Sequence, residues 1–596
     1  MKNKLFLILN FFICFNFLYS QNNVKNVIIM IPDGTSTAVL SLARYYQGYL
    51  NGDIKNIPYL AVDPYICGLV RTHCSNAPIG DSAPTSSWYS TGEASRASNI
   101  AMYPPKDEKN DLVEIDSTKT YQPLLTVLEA AKLSGKKTGL VFTCQFPHAT
   151  PADFSAHWYN RSKYDIIAKQ IVHNDIDVIF GSGVKYLTNT SSEYLVSCGY
   201  DTIINNVYRF RNYEIKKNSK LWALFGYEEM QYDLDRDPNI EPSLAEMTAK
   251  AIKILSNGSK GFFLMVEGSK VDWAAHANDP IGTITDFLAF DKAVDTAIYF
   301  AKQSKNGETI VVVLPDHSTG GITFGNENSN GKYSKLSIAE LFEPLVTWKK
   351  TAWGAARYLA ENFKPDSAVI QSLISDCNPQ VKLTSKEIKE FISGYEKSQK
   401  LASNLQEIFL PIIVDIIKKR NYIGFTTTGH TGEDVFLAIY DKNKDQPTGL
   451  VRSYEINKYL CKALNLIDKK GRTTLNDSTE KYFSKHYNVF SGFDINLFKK
   501  DSIYKWDNLS KKFIGINKFS FLDLKFVNKN NDEKKFFDDK DIFLIVRNHN
   551  QTIEVPAYRN YFYINGEKHK LNSVTVYVDK NDTFYLPKEL SKYLAK

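Results

Sequence analysis

The sequence predicts an α/β fold with a mostly parallel central sheet flanked by helices, a helix-rich insertion and a small β-rich carboxyl-terminal region. Three observations predict it. Compact β-branched runs such as Val24 to Ile31 have the pattern of strands covered on both faces. These runs alternate with helical segments, the order that a parallel sheet with crossover helices requires. Several of them end at an acidic residue, at the edge where open α/β sheets bind ligands.

Taken in order, the strand Val24 to Ile31 runs into Pro32-Asp33-Gly34, and a helix follows over Thr37 to Tyr49. A second helix starts at Ala83 or Pro84 and ends at Gly92, because Pro is favoured in a first helical turn. Tyr121 to Ser134 reads as a helix before the strand Lys137 to Thr143, and Ile176 to Phe180 as a strand before Gly181. The helix Pro242 to Ser256 precedes the strand Gly261 to Val266, which ends at Glu267. The helix Asp286 to Lys302 precedes the strand Thr309 to Leu314, which ends before Asp316. Residues 325–420 turn polar and helix-rich, with Ser385 to Ser398 and Leu401 to Lys419 the clearest helices, and read as an insertion at the active-site edge. The strand Val435 to Tyr440 and the helix Ser453 to Leu464 close a core that ends near 466. Residues 467–596 are rich in Lys, Asn and aromatics. Tyr561 to Ile564 and Ser573 to Val578 flank an Asn565-Gly566 hairpin signal, and the region reads as a separate unit whose loss leaves catalysis intact.

The composition is that of an ordinary globular chain, 43% hydrophobic and 23% charged. Residues 1–20 read as a cleaved secretory signal: Lys2 and Lys4, an apolar stretch from Leu5 to Leu18, and the small residue Ser20. That stretch is short for a membrane span, and no later one qualifies. Without the leader's two lysines the formal charge of +7 falls to a value too small to argue for nucleic-acid or membrane binding. Six cysteines follow the leader, in no disulfide framework and with no C-x-x-C zinc spacing, so any metal is expected on Asp and His.

The candidate chemistry lies at strand ends and one helix start. Ser82, at or near the cap of the helix to Gly92, has free backbone N–H groups beside it, which suit a phosphate. Asp33, Glu267 and Asp316-His317 stand at strand ends, and His430 in a loop before a strand. Asp272 and His276 are four apart, on one helix face. A capping serine or a turn aspartate explains each position singly. Carboxylates and imidazoles gathered at one sheet edge suit Zn²⁺, and carboxylate with hydroxyl suits Mg²⁺.

These residues stand in motifs that resemble the alkaline phosphatases: I-P-D-G-T-S at 31–36, D-S-A-P-T at 81–85 and H-A-T-P-A-D at 148–153 with Arg161 downstream, then M-V-E-G-S-K-V-D-W-A-A-H at 265–276, L-P-D-H-S-T-G-G at 314–321 and T-G-H-T-G at 428–432. The six stretches occur in family order and cover about residues 24–465. The resemblance implies phosphate-monoester hydrolysis, with Ser82 as the nucleophile and Arg161 gripping phosphate oxygens. It implies one zinc on Asp272, His276 and His430 and a second on Asp33, Asp316, His317 and Ser82. A third ion, usually magnesium but with zinc as the alternative where His148 stands close, falls to Asp33, Thr150 and Glu267. His148 and Trp273 stand where relatives carry Asp, or Lys or His, so they are expected to tune the third site and phosphate release. A homodimer is common in such a family. A phosphodiesterase or sulfatase of the same superfamily is the alternative, opposed by Thr150 and Glu267.

Overall fold

The computed structural model describes residues 24–466, Ile54 aside, and discontinuous stretches of 483–593. The proposed leader and the histidines His486 and His549 lie outside the described residues. The core is a ten-stranded sheet. Its strands are β1 (Asn26–Pro32), β2 (Ile66–Arg71), β3 (Lys137–Gln145), β4 (Val178–Ser182), β5 (Asp201–Ile204), β6 (Leu221–Leu224), β7 (Phe262–Gly268), β8 (Thr309–Val313), β9 (Val435–Tyr440) and β10 (Gly449–Arg452). Their order is β10-β2-β9-β8-β1-β7-β3-β4-β6-β5. Every pairing is parallel except the two made by β9, which runs against β2 and β8. The mostly parallel sheet is therefore as expected, although β2, β5 and β6 carry little sequence signal, being short and, in β2, half-exposed.

The pleat of β1 shows why the sheet is covered on both sides. Val27, Ile29 and Ile31 enter one apolar cluster and Ile28 and Met30 the other, so alternate residues feed two cores. Each fully buried aliphatic side chain contributes about 1.5–3 kcal/mol. Helix α1 (Thr37–Leu50) follows β1, and α2 (Ser82–Thr91), α3 (Ala149–Asp153), α4 (Lys270–His276) and α5 (Pro280–Gln303) frame the edge where β1, β3, β7 and β8 end. Helices at Ile338–Val346, Ala352–Asn362, Ser367–Cys377, Ser385–Leu401 and Leu405–Lys419 occupy the stretch read as an insertion. The helix expected over Tyr121 to Ser134 spans only Val127–Leu133, because a Thr126–Glu129 capping box starts it there.

The carboxyl-terminal stretches form antiparallel sheets, one of seven strands. The Asn565-Gly566 turn does make a hairpin, but Tyr561–Ile564 pairs with Glu567–Lys570 directly after it. Tyr577–Val578 pairs instead with Phe584–Pro587 in a second sheet. Nor does this region stand apart from the core. The Tyr577 hydroxyl donates to Glu129 at 2.6 Å, and Arg559 reaches His173 at 3.4 Å, both pairs buried.

Candidate active site

Strand ends do most of the positioning. Asp33 follows β1, Glu267 lies at the end of β7 beside it, and Asp316-His317 comes shortly after β8 on the other side. All four side chains are buried. Gly34 turns the chain away with φ +65°, and a Cβ there would lie 2.4 Å from an Asp272 oxygen. Only glycine fits both the angle and the space. The two-residue strand His430–Thr431 pairs antiparallel with Ser318–Thr319, which stacks the His430 ring on His317 at 3.9 Å. Asp272 and His276 share one face of α4, with His276 Nε2 and Asp272 Oδ2 3.4 Å apart.

The imidazoles are oriented from behind. His276 Nδ1 faces the Thr428 carbonyl at 2.5 Å and His430 Nδ1 faces the Gly80 carbonyl at 2.9 Å. Each Nδ1 therefore carries the proton and each Nε2 presents a bare lone pair. Those two Nε2 atoms lie 3.1 Å apart, two acceptors aimed at one place. His317 directs its Nε2 toward Asp33 Oδ1 and Asp316 Oδ2, each at 3.4 Å. Asp316 is itself held, since its Oδ1 accepts from the Gly34 and His317 backbone N–H groups at 3.1 and 3.0 Å.

What the cluster lacks is donors. Both Asp33 oxygens, Glu267 Oε1, Asp316 Oδ2 and Thr150 Oγ1 are buried and make no hydrogen bond. A buried polar atom left so costs about 1–3 kcal/mol, more when charged. Burial, then the Asp316, Asp272 and Glu267 charges, push Asp33 well above the usual carboxylate range. Burial and Asp316 push Glu267 up to about 8. Burial and His430 lower His317 to about 3. A cation removes both strains at once, by giving each lone pair a partner and offsetting the carboxylate repulsion. The residues therefore fit metal ions. Among the described residues, three sets of donors lie within 4.8 Å of one another: Asp272–His276–His430, Asp33–Asp272–His317 and Cys144–His148–Glu267. The first is the expected set. In the second Asp272 stands where Asp316 was expected. The third keeps Glu267 of the expected set but has Cys144 and His148 where Asp33 and Thr150 were expected.

Ser82 opens α2 as its first residue, one place inside the expected cap, and Asp81 is the N-cap. Its Oγ lies 3.2 Å from His317 Nε2. All ten residues of α2 are buried, which fixes the hydroxyl against the cluster. Arg161 Nη1 pairs with Asp81, and its Nη2 lies 3.1 Å from His148 Nε2. The guanidinium therefore stands beside the residue that precedes Ser82. Burial raises Asp81, but Arg161, His317 and His430 outweigh it and hold the carboxyl below its usual range. Trp273 meets His148 edge-on at 5.8 Å, and the Lys270 ammonium sits 4.1 Å from the Trp273 ring. All twelve predicted residues thus gather at one sheet edge. Three neighbours escaped the sequence reading: Asp81, adjacent to Ser82; Lys270, inside the 265–276 motif; and Cys144, at the end of β3.

A set of buried carboxylates and imidazoles on an open α/β edge, with a hydroxyl and a guanidinium alongside, defines a hydrolase class built to hold metal ions and an oxyanion. Known proteins place the chain within that class. The sequence profile described as alkaline phosphatase matches residues 24–466. Alkaline phosphatase 4 of Bacillus subtilis is 33% identical over 454 residues, covering 74% of this chain and 89% of that protein. The alkaline phosphatase of Schizosaccharomyces pombe is 29% identical over 483 residues, covering 77% and 83%. The crystal structure of a cold-active alkaline phosphatase from Shewanella sp. shares 27% identity at a TM-score of 0.62, covering 74% of this chain and 99% of that one. The chain belongs to the alkaline phosphatase family. It is a phosphomonoesterase.

Proposed function

We propose that hydrolysis proceeds through a phosphoseryl intermediate on Ser82, with two zinc ions and a third metal ion as cofactors. The carrying observation is the Ser82 hydroxyl at a helix start, 3.2 Å from His317 Nε2 and beside donor atoms that have no partner of their own. Asp272, His276 and His430 would hold one ion. Asp33, Asp316 and His317, with Asp272 close by, would hold the second next to Ser82. Glu267, Thr150 and Asp33 would contribute to the third. When bound, such ions act as Lewis acids and lower the pKa of attached oxygens by several units.

The chain's own residues do the rest. Ser82 gives up its hydroxyl proton as Oγ bonds to phosphorus, and the alcohol oxygen takes up a proton as its bond breaks; water then displaces Ser82, returning a proton to Oγ, and inorganic phosphate leaves. The first N–H groups of α2 have no intrahelical partner and face negative charge favourably. Asp81 aims Arg161, whose planar fork matches two phosphoryl oxygens in a way that Lys cannot. His148 and Trp273 border Arg161 and tune how firmly phosphate is held. The amino-terminal pattern supports export, and among the described residues no helix is long and apolar enough to cross a membrane.

Hydrolysis of an aryl monoester, diester and sulfate is to be compared with and without chelator. Monoester turnover is expected to dominate and to need metal; a preference for diester or sulfate rejects the reading. Acid-quenched enzyme should carry phosphate on Ser82 by mass spectrometry, and Ser82→Ala should lower kcat by about 10³-fold or more. Phosphate found consistently on Thr85 instead refutes the assignment of the nucleophile.

A further inference from the structure

We propose that Cys144 is a metal ligand, and that the third ion is a thiolate-tolerant transition metal such as Zn²⁺ rather than Mg²⁺. The inference rests on the proposed metal-dependent reading of the site and adds a donor to it. Cys144 lies at the carboxyl end of β3, one strand over from Glu267 on β7, and the two strands pair in parallel. Its Sγ is fully buried and 3.4 Å from Glu267 Oε2. His148 caps α3 four residues later, and Cys144, His148 and Glu267 each offer a donor atom within 4.8 Å of the others.

Two further observations point to a ligand between them. Glu267 Oε1 and His148 Nδ1 are buried and make no hydrogen bond, as is the nearby Thr150 Oγ1. The Cys144 backbone N–H is pinned on Ser269 Oγ at 3.1 Å and its carbonyl accepts from Ser182 Oγ at 2.6 Å, so the strand end that aims the sulfur is held on both sides. Sulfur, nitrogen and carboxylate oxygen form a donor set that selects against Mg²⁺, which wants an octahedron of oxygens and keeps its water. Thiolate and imidazole instead suit zinc and its neighbours. On binding, the thiol proton leaves to solvent and the sulfur lone pair forms the bond to the ion. Arg161 donates to His148 Nε2 at 3.1 Å, so Nδ1 holds the ring proton without an ion; binding at Nδ1 moves that proton to Nε2 and turns the Arg161 N–H away.

The full chain is stripped of metal and titrated with Co²⁺, whose thiolate complexes show a near-ultraviolet charge-transfer band. Wild type is expected to gain that band, excess Mg²⁺ to leave it in place, and Cys144→Ser to lose it while binding one equivalent of Co²⁺ about 10- to 100-fold more weakly. Should the variant fail to fold, X-ray absorption at the zinc edge of zinc-loaded wild type reads the same bond, as a sulfur scatterer at about 2.3 Å. A band that survives in Cys144→Ser, or wild type with neither band nor sulfur scatterer, overturns the assignment. Aryl-phosphate turnover is measured on the same zinc-loaded sample. Turnover without sulfur sinks only the Cys144 assignment; sulfur without turnover upholds it and sinks the proposed reaction.

Discussion

Two buried polar clusters lie on this sheet, and they are wired in opposite ways. At the strand ends Asp33 is fully buried and receives no hydrogen bond on either oxygen. Under the carboxyl-terminal region Glu129 is just as buried, yet every oxygen is served. Its Oε1 accepts from His157 at 3.1 Å, Tyr577 at 2.6 Å and Asn174 at 3.4 Å, and its Oε2 accepts from the Thr126 N–H at 3.0 Å. His157 Nδ1 faces the Ala101 carbonyl at 2.9 Å, so both ring nitrogens face acceptors. The pKa shifts follow the wiring. Burial alone would raise both carboxyls, and the neighbouring carboxylates raise Asp33 further. For Glu129, His157 and the hydrogen bonds outweigh burial and bring it below its usual range. Equal burial therefore decides nothing by itself. A satisfied cluster holds structure together, and an unsatisfied one is built for something that arrives from solution.

Metal removal tests the contrast most strongly. Chelation at neutral pH should abolish turnover, and zinc with magnesium should restore it, while the Glu129 junction stays intact by hydrogen exchange. Elemental analysis that finds no transition metal in fully active protein counts against the unsatisfied cluster being a metal site. Next in size is Glu129→Ala, which strands His157 and the Tyr577 hydroxyl. It should cost about 3–5 kcal/mol in urea unfolding of the metal-loaded protein. A cost under about 1 kcal/mol would show that the junction does not tie the carboxyl-terminal region to the core.

Acid and base should then separate the clusters. A carboxyl with a raised pKa stabilises the fold below its unfolded value and loses that contribution as pH rises through its folded value. For Glu267 that window runs from its ordinary 4.5 up to about 8, so metal-stripped protein should melt at falling temperature across it. Glu129, lowered, contributes above the ordinary carboxylate range and loses that contribution only as pH falls through its depressed value. Calorimetry of stripped and zinc-loaded protein over this range should show the alkaline loss in the first alone; identical profiles would refute the Glu267 reading. The smallest effect is expected at His148. His148→Asp adds a hard oxygen donor and should strengthen Mg²⁺ binding, and Trp273→Lys should tighten phosphate inhibition. Unchanged Mg²⁺ affinity and unchanged inhibition would show that these side chains do not tune the site.

Much of the site was legible locally. Asp33, Glu267 and Asp316 stand at the ends of apolar runs, and Asp272 with His276 at a helical repeat, so strand ends and helix faces already put them at one edge. Covered strands announce themselves by continuous apolar residues, which is why the parallel core was readable and the short, half-exposed β2 was not. The helix start at Ser82 was read to within one or two residues, because Pro84 marks a first turn.

Other partnerships have no local signature. Cys144 looks like an ordinary core residue until β3 pairs with β7 and sets its sulfur against Glu267. Asp81 and Arg161 meet only because the segment after α3 brings Arg161 to the start of α2. Tyr577 and Glu129 are 448 residues apart, and nothing near either one names the other. Hydrophobic periodicity is a property of neighbours in sequence, so the chain alone determined its strands, its helices and the edge where its acids gather. Which buried donor meets which acceptor depends on sheet order, register and the docking of a distant region. Only the tertiary structure decided that one acidic cluster is neutralised from within and the other left open to cations.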